Sequence, residues 1–569
     1  MNYNFLSRIR VISALLFILT FLLITKLFFV QIIHHESYKD RADRQYATPA
    51  TNIFERGSIF FKNKDGSLIA AAVTTSGFKV AINPKELVEP DSAYLAINGA
   101  VPIDQAQFTD KAAKKTDPYE EIAYHLTKEQ ADKITNYSIH GVYIYKENWR
   151  FYPGGDMAPH AIGFVGYKGD QYGGRTGLEK YYDATLSRNQ QELYINFFAE
   201  IFSDVNKTLF DKSEKEGDIV TSIEPNVQAY LQKKMSEVSD EWHPDAVGGI
   251  IINPEDGTIY AMANLPSYDL NNFSKVKNVS ILGDPIVENV YEFGSIVKPW
   301  TMAAGLDAGV VTAETKYDDK GFIILNNKQI NNYDHKGRGI IPMQEVLNQS
   351  LNTGAVYVMQ KLGKDKFKNY MLGYGIGEKT GIDLPAETQG LVDALKSNID
   401  VEQATASFGQ GIAFTLIEAA RAFSVLGNGG KLITPHLVTE IKYTDGTTKQ
   451  INYPPSRQVL KKETSEAISS MLVTVVDKAL LGGKVKLDRY SVAAKTGTAQ
   501  MSKGAGGGYY EDRFLHSFMG YFPAYNPKFL ILLYNIYPKG AKYASETLTH
   551  PFNDMTKFLI NYYDIPPDR

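Results

Sequence analysis

A serine and a lysine three residues apart, Ser295 and Lys298, form the pair in this chain best suited to covalent chemistry. On a helix this spacing places the hydroxyl and the amine on one face, so that the amine can take the hydroxyl proton without a histidine. The same spacing also occurs at Ser76–Lys79 and at Ser274–Lys277. The pattern therefore predicts an acyl-enzyme mechanism only where its surroundings support one.

Two further polar groups follow this pair along the chain. They are Ser350-Leu351-Asn352 and Lys495-Thr496-Gly497-Thr498, and the second is preceded by a predicted strand. Gly497 fits a strand that a substrate must approach closely. A second Lys-Thr-Gly at 379–381 has no strand directly before it, and Ser187-Arg188-Asn189 precedes the nucleophile, so we interpret both as turns or loops.

Composition excludes several classes of protein. The 569 residues are 44% hydrophobic and 22% charged, which is typical of globular domains. A net charge of -4 argues against a nucleic-acid binder. Because there are no cysteines, the chain cannot form disulfides, thiolate zinc sites or iron-sulfur clusters, and the ten histidines form no ligand-like cluster. We therefore predict no metal and no cofactor.

Residues 11–33 predict a transmembrane helix. Their 23 residues would span about 34 Å as a helix, against about 30 Å for a hydrocarbon core, and Lys26 is the one charge among them. Arg8 and Arg10 precede the segment, which favours a cytoplasmic tail at 1–10 and a catalytic part outside the cytoplasm. The alternatives are a buried core helix and a cleaved signal, but no small-residue cleavage site follows.

The region from 36 to about 225 is predicted to be an irregular α+β module without visible chemistry. A hairpin is expected over 58–72, with its turn at 62–66. A helix is expected over 119–134, because Thr127 precedes Glu129-Gln130 as in a capped helix start.

From about residue 218 onward the pattern predicts strands at both ends of a domain with a helical middle. This arrangement implies one sheet assembled from distant segments, an α+β fold. The predicted strands are 218–223, 246–253, 258–263, 490–494, 516–522 and 529–536, and the predicted helices are 226–238 and 558–563.

Three motifs in this order resemble the class B penicillin-binding proteins, the membrane-anchored serine transpeptidases that cross-link peptidoglycan. They are Ser295-x-x-Lys298, Ser350-x-Asn352 and Lys495-Thr496-Gly497 extended by Thr498. The resemblance covers essentially the whole chain. It continues in Arg56-Gly57-Ser58-Ile59, Gly177-Leu178-Glu179 with Asp183, Asn253-Pro254-Glu255-Asp256-Gly257, Pro266-Ser267-Tyr268-Asp269, Ser407-Phe408-Gly409-Gln410-Gly411 and Gly427-Asn428-Gly429-Gly430.

The resemblance implies a domain organisation. After the anchor at 11–33, residues 36–225 would form a pedestal of the dimerisation type. Residues 226–569 would form the penicillin-binding domain, with the fold shared by serine β-lactamases and transpeptidases. That fold has an antiparallel sheet flanked by helices, and a helical subdomain.

The resemblance also implies catalytic roles. Ser295 would attack the penultimate carbonyl of a D-Ala-D-Ala stem peptide. Lys298, at the start of a helix, would be its base, with a pKa lowered by the helix dipole and by nearby cations. Ser350 would relay a proton to the leaving amine. The backbone N–H groups of Ser295 and Thr498 would stabilise the oxyanion.

Five residues would bind substrate. Asn352 would bond the substrate backbone, Lys495 would supply positive potential, and Thr496 would help to bind the terminal carboxylate. Gly497 and Thr498 complete that wall of the site.

Two departures from the family pattern affect expectations about rigidity and the pedestal. Phe293 stands two residues before the nucleophile where the family usually has proline, so the start of the active-site helix is expected to be less rigid. Residues 60–66 replace the usual Asp-Arg-Asn-Gly stretch. Neither change removes a catalytic group.

The biological role is predicted less sharply than the chemistry. Glu147-x-x-Arg150-x-Tyr152-Pro153 favours a division-specific, septal enzyme, and an elongation-specific enzyme stays as the alternative. The implied partners are peptidoglycan stem peptides, β-lactams as covalent inhibitors, the bacterial cell membrane through residues 11–33, a membrane glycosyltransferase and other division or elongation proteins. A D,D-carboxypeptidase and a non-enzymatic β-lactam sensor or envelope scaffold are the other classes considered.

Overall fold

A computed structural model describes residues 55–169, 171–188, 216–504 and 507–569, together with 16, 17, 19, 20, 23, 25 and 26. The predicted span at 11–33 therefore lies largely outside the described residues. Among those that are described, no helix combines the length and the apolar character that crossing a membrane requires.

The described residues separate into two compact units that interleave along the chain. The first contains 74–150, and the second contains 56–73, 151–187 and 216–569. The two units are defined by which residues lie close together in space. The predicted boundary between the pedestal, which ends at residue 225, and the penicillin-binding domain, which begins at 226, stays a prediction.

The first unit packs three helices against a small sheet. The second half of the strand Leu68–Ile82 pairs with Glu120–Leu126, and Val142–Phe151 pairs with the same strand. Val80, Ile97 and Phe108 lie in its core. The helices are Pro90–Ala100, Gln105–Ala112 and Lys128–Thr135.

One helix prediction in this unit is half wrong. Residues 120–126 form a strand, whereas Lys128–Thr135 is the expected helix. Thr127 begins that helix with a capping box, because its side chain accepts a hydrogen bond from the Gln130 N–H and the Gln130 side chain accepts one from the Thr127 N–H. The cap was therefore predicted correctly, and the helix begins one residue after it.

A five-stranded antiparallel sheet organises the second unit. Its strands are, in order across the sheet, Ala493–Ser502, Tyr509–Phe522, Phe529–Ile536, Ala246–Ile252 and Ile259–Leu265. The prediction of one sheet built from distant segments is confirmed. Alternate residues face opposite sides, so that Ile250 and Ile251 lie in different hydrophobic clusters.

Helices cover both faces of this sheet. Pro225–Trp242 and Thr549–Tyr562 pack on one face with Ile251 and Leu533, and the helical middle packs on the other with Ile250 and Trp300. The helices of this middle part are Pro285–Glu288, Lys298–Asp307, Met343–Asn348, Asn352–Leu362, Lys364–Gly373, Asp393–Lys396, Asp400–Ala406, Leu416–Gly427 and Lys462–Thr474.

A second sheet in this unit joins segments that are far apart in sequence. The expected hairpin forms, because Ile59–Lys62 pairs antiparallel with the start of Leu68–Ile82. Ile59–Lys62 also pairs in parallel with Gly217–Thr221, which is followed in the sheet by Val438–Tyr443 and Thr448–Gln450. Arg56 is buried here and binds Glu179 at 2.6 Å and Asp183 at 2.7 Å.

Short elements complete the second unit. Two-stranded pairs are Val165–Lys168 with Gln171–Gly174, Lys316–Asp319 with Gly339–Pro342, Phe322–Leu325 with Lys328–Asn331, and Lys431–Leu432 with Arg457–Gln458. The short helices are Pro159–Ile162, Gly177–Tyr181, Asp183–Leu186 and Ala544–Thr547.

Candidate active site

Ser295 lies on a single 3-10 turn, Gly294–Val297, that leads directly into the helix Lys298–Asp307. Gly294 has φ +63°, and a Cβ there would lie 3.0 Å from the Thr498 carbonyl oxygen. Packing in the core holds this helix in place, because the ring of the buried Trp300 stacks on that of Phe423 with their centroids 4.3 Å apart. The serine hydroxyl is thus carried on a turn that packing holds in place.

Lys298 lies within hydrogen-bonding distance of both candidate serines. Its Nζ is 2.9 Å from the Ser295 Oγ, 3.2 Å from the Ser350 Oγ and 2.5 Å from the Ser350 carbonyl oxygen. The residue is 1% exposed. Burial lowers the pKa of Lys298 well below its ordinary value, and the charge of Lys495 lowers it further.

The cause of this pKa shift differs from the predicted one. We expected the helix dipole and nearby cations to dominate, but burial is the larger effect and the neighbouring cation the smaller. The direction is the same. An uncharged amine next to the Ser295 hydroxyl can accept its proton.

Ser350 connects the two lysines. It has φ +55° and stands between the helices Met343–Asn348 and Asn352–Leu362. Its Oγ accepts hydrogen bonds from Lys298 at 3.2 Å and from Lys495 at 3.0 Å. Left-handed backbone is uncommon for serine and occurs at functional sites where the surroundings fix it. The hydroxyl can therefore pass a proton between the two sides of the site.

Lys495 lies on the edge strand Ala493–Ser502 of the large sheet. Its Nζ also donates to the Thr496 carbonyl oxygen at 2.9 Å, and its side chain is buried. Burial lowers the pKa of Lys495 to about 7. Burial thus lowers the pKa of both lysines, and the charge of Lys495 lowers that of Lys298 further.

Gly497 permits close contact between this strand and the turn Gly294–Val297, which we call the nucleophile turn after the role predicted for Ser295. A Cβ at this position would lie 2.5 Å from the Phe293 carbonyl oxygen and 3.0 Å from the Ile296 Cγ2. The Ser517 hydroxyl, from the neighbouring strand, donates to the same Phe293 carbonyl at 2.9 Å. Glycine is required here because no larger residue fits between strand and turn.

Phe293 fills the position where the family usually has proline. Its side chain is fully buried, with its ring 5.2 Å from that of Phe414 and 6.0 Å from that of Tyr291. Packing therefore constrains this residue in place of a proline ring.

The remaining predicted substrate-binding residues also border the site. Asn352 donates through its side-chain amide to the Asn331 carbonyl oxygen at 2.8 Å. The Thr498 hydroxyl accepts from the Ala544 N–H at 3.0 Å. Together with Thr496, these residues line one cleft with Ser295, Ser350 and Lys495.

This cleft has a volume of about 960 Å³. Several of its residues were not predicted as site residues: Tyr333, Tyr543, Tyr509, Phe408, Gln410, Leu480 and Leu481. The Ser407-Phe408-Gly409-Gln410-Gly411 stretch carried a sequence signal, because it belongs to the family resemblance. Tyr333 and Tyr543 had no such sequence signal, since they are far apart in the chain and only folding brings their ring centroids to within 6.1 Å of each other.

The structure separates the alternative motifs from this site. Ser76 and Lys79 lie on a strand, where residues three apart face opposite sides. Ser274 and Lys277 are exposed around a short 3-10 turn. Thr380 lies in a loop that Glu387 closes by accepting a hydrogen bond from the Thr380 N–H at 2.6 Å. Of Ser187–Asn189, the asparagine lies outside the described residues.

Two protein-family models together match most of the chain. Residues 247–556 match the model of the penicillin binding protein transpeptidase domain. Residues 53–221 match that of the penicillin-binding protein dimerisation domain.

Individual proteins match over similar lengths. Stage V sporulation protein D of Bacillus subtilis is 29% identical over 96% of this chain and 84% of its own. The peptidoglycan D,D-transpeptidase FtsI of Buchnera aphidicola subsp. Schizaphis graminum is 26% identical over 100% of this chain and 96% of its own.

Solved structures share the fold. Penicillin binding protein 3 of Mycobacterium tuberculosis, complexed with aztreonam, superposes with a TM-score of 0.68 at 20% identity, covering 91% of this chain and 98% of that chain. Penicillin Binding Protein 2X of Streptococcus thermophilus gives a TM-score of 0.71 at 18% identity, covering 90% of this chain and 81% of that chain. These similarities identify a transpeptidase-like α+β fold.

Proposed function

The chain belongs to the class B penicillin-binding proteins and is a peptidoglycan D,D-transpeptidase, and we propose that Ser295 is its nucleophile and Lys298 its general base. One observation carries this assignment. The Lys298 amine lies 2.9 Å from the Ser295 hydroxyl and 3.2 Å from that of Ser350, which Lys495 also contacts at 3.0 Å. Three segments up to 200 residues apart thus meet at one proton-transfer site.

The acylation half of the reaction uses the neutral Lys298. As the Ser295 Oγ bonds to the penultimate D-Ala carbonyl carbon, its proton passes to Lys298. The N–H groups of Ser295 and Thr498 would hold the resulting oxyanion. Collapse breaks the C–N bond, and the Lys298 proton reaches the departing D-Ala amine through the Ser350 hydroxyl. The product is an ester on Ser295 and free D-Ala.

The second half transfers the acyl group. An amine of a neighbouring stem peptide attacks the ester carbon and loses its proton toward Lys298 through Ser350. The Ser295 oxygen leaves and recovers a proton from Lys298, so that the enzyme returns to its starting state. During acylation Lys495 and Thr496 would hold the terminal carboxylate of the donor, which leaves with D-Ala, and Asn352 would hold the donor backbone in both steps.

The nucleophile assignment is tested by covalent labelling. The full chain in detergent is incubated with a fluorescent β-lactam, and the adduct is mapped by peptide mass spectrometry. We expect label on Ser295 and none on the Ser295→Ala variant. Ser274→Ala, which alters an alternative motif, serves as the matched control and keeps full labelling. Labelling that survives in Ser295→Ala would refute the assignment.

Membrane anchoring through residues 11–33 is the second part of the proposal. It is supported by the length of this apolar segment and by Arg8 and Arg10 before it. The chain has no cysteines, so single cysteines can report topology directly. In cells whose envelope lets the reagent reach the extracytoplasmic face of the cell membrane, a maleimide that cannot cross this membrane should label Ser37→Cys but not Ser7→Cys. Equal labelling of both positions before lysis would contradict a cytoplasmic tail at 1–10.

A septal role is the third part of the proposal. Support comes from the pedestal stretch at 147–153 and from two FtsI-named relatives that match the full length of the chain. The partners would be a membrane glycosyltransferase and other division proteins. A fluorescent fusion should concentrate at division sites, and depletion should give filamentous cells. Lateral-wall localisation with rounding of cells would instead favour the elongation role, which stays the alternative.

A further inference from the structure

One side of the cleft is formed by an irregular segment, residues 475–483, which we call the cleft wall. A π-helical turn, Val475–Ala479, extends the helix Lys462–Thr474, and a 3-10 turn, Leu480–Gly483, follows. Val475, Ala479, Leu480 and Leu481 line the cleft. Leu481 is 36% exposed. The wall therefore presents an apolar surface next to the polar catalytic groups.

Leu481 adopts a backbone conformation that leucine disfavours. Its φ is +48° and its ψ is 35°, in the left-handed region. Gly482 and Gly483 continue with positive φ, and a Cβ on Gly483 would lie 2.5 Å from the Asp477 carbonyl oxygen. Such strain persists only where the surrounding structure fixes the backbone. A leucine that faces the cleft at this cost indicates a role for its side chain.

Residues 565–569, which we call the clasp, bind the start of this segment. The Arg569 guanidinium contacts both carboxylate oxygens of Asp477, at 2.5 Å and 2.9 Å. It also donates to the Leu487 carbonyl oxygen at 2.7 Å. The paired side chains are only 25% and 19% exposed, so solvent screens this bidentate ion pair less than a fully exposed one.

The clasp also binds the chain that follows the cleft wall, just before the strand Ala493–Ser502. The Asp568 carboxylate accepts from the Ser491 N–H at 2.7 Å and from the Ser491 hydroxyl. Tyr490 donates through its hydroxyl to the Ile565 carbonyl oxygen at 3.2 Å, and Ile565 is buried. Ser491 lies two residues before the strand that carries Lys495. The clasp therefore fixes residues 477–491 at both ends.

We propose that the clasp positions Leu480 and Leu481 as an apolar subsite for the aliphatic part of the stem peptide. This inference rests on the proposed function. Asp477, Asp568 and Arg569 are positioning residues, and Leu481 determines specificity through its contact with substrate. A stem peptide extends beyond the reacting carbonyl and reaches such a wall, whereas a small β-lactam depends mainly on the groups around Ser295.

A double-mutant cycle tests the inference in the full chain. Leu481→Gly removes the leucine side chain from the cleft wall, and glycine adopts the left-handed backbone at this position without strain. Arg569→Ala removes the ion pair between the clasp and Asp477. Each should lower kcat/KM for a stem-pentapeptide donor about 10-fold more than it lowers the acylation rate of a small β-lactam. Because both act through the same wall, the double variant should lose little more than Leu481→Gly alone.

Two results would overturn the inference. The first is a double variant whose loss of kcat/KM equals the product of the losses in the two single variants. The second is an equal loss of rate with the stem pentapeptide and with the β-lactam. Lys486→Ala, which removes a cation three residues after the cleft wall, should change neither rate. If Arg569→Ala unfolds, Asp568→Asn replaces it in the cycle, with folding checked by thermal melting. The Ser295 label separates the two proposals, because its absence from the wild-type chain refutes the proposed function rather than the clasp.

Discussion

At the scale of single residues, the proposed mechanism gives two buried lysines different tasks. In that mechanism Lys298 is uncharged when it accepts a proton from Ser295, whereas Lys495 is charged when it attracts a carboxylate. Burial lowers the pKa of both, and the charge of Lys495 lowers that of Lys298 further. The proposed mechanism therefore requires Lys298 to lose its proton at a lower pH than Lys495 does.

This order predicts a bell-shaped pH dependence for acylation. The rate should rise as Lys298 loses its proton, and should fall above about pH 7 as Lys495 loses its own. Between about pH 7 and about pH 9 the fall should be about 50-fold, because the charged fraction of Lys495 decreases from about one half to about one hundredth. Arginine stays charged, so Lys495→Arg should lose the alkaline limb. The measurement is the second-order rate constant with a β-lactam from about pH 5 to about pH 9.

A matched variant serves as the control for this profile. Lys379→Arg changes the lysine of the second Lys-Thr-Gly, which lies outside the cleft lining, and should keep the wild-type curve. A wild-type rate that keeps rising from about pH 7 to about pH 9 would contradict the role given to Lys495.

At the scale of elements, the sequence predicted those segments whose patterns are local. The strands 246–253 and 529–536 and the helix 226–238 were found within a few residues of Ala246–Ile252, Phe529–Ile536 and Pro225–Trp242. Residues 120–126 were mistaken for helix because their strand depends on pairing with Leu68–Ile82. Such pairing is tertiary and leaves no local signal.

The same distinction applies to the site. The groups that we propose as catalytic could be selected from the sequence because each of the three motifs has a fixed internal spacing, and the structure brings Ser295, Ser350 and Lys495 to one cleft. Leu481 and Tyr543 were not, since their positions follow from turns that close only in the folded chain.

Contact between the nucleophile turn and the strand Ala493–Ser502 gives a prediction at this scale. In Gly497→Ala the added methyl group would collide with the Phe293 carbonyl and the Ser517 hydroxyl, which would lie 2.5 Å and 2.4 Å away. We expect a stability loss of about 1–3 kcal/mol. Acylation should fall by about 100-fold, because a small displacement of the strand separates Lys495 from Ser350.

The control is a glycine without such neighbours. Gly373, at the end of the helix Lys364–Gly373, has open space around it, and a methyl group added there would meet no atom within 4 Å. Gly373→Ala should keep both stability and acylation. Rates and melting temperatures are compared side by side, and a Gly497→Ala enzyme with wild-type acylation would show that strand and turn are not coupled.

At the scale of the whole molecule, the catalytic unit is assembled from three stretches of the chain. Residues 56–73 and 151–187 belong to the same compact unit as 216–569. Ile59 pairs with Ile219 across 160 residues, and the buried Arg56 joins Glu179. Hydrophobic periodicity indicates which segments are buried but not which segment each contacts. This interleaving could therefore be obtained only from the structure.

A buried carboxyl in this unit makes stability depend on pH. Asp284 accepts hydrogen bonds on its Oδ1 from the Ile286 N–H and the Asn264 amide, both at 3.0 Å, and its Oδ2 has no partner among the described residues. Burial raises the pKa of Asp284 to about 7. The folded state then holds a proton that the unfolded state releases near about pH 4. This residue's contribution to stability is thus complete below about pH 4 and is lost as the pH rises to about 7.

We therefore predict that Asp284→Asn stabilises the protein at high pH relative to wild type. The gain should be larger at about pH 8 than at about pH 4, by at most about 4 kcal/mol, since about three pKa units correspond to that free energy. Thermal unfolding at both pH values measures it as a difference between the variant and wild type, which cancels the titration of other buried groups such as His160 and His516. The exposed Asp156→Asn is the control and should show no such difference. A variant that follows the wild-type pH dependence would mean that Asp284 is ionised in the folded protein at neutral pH.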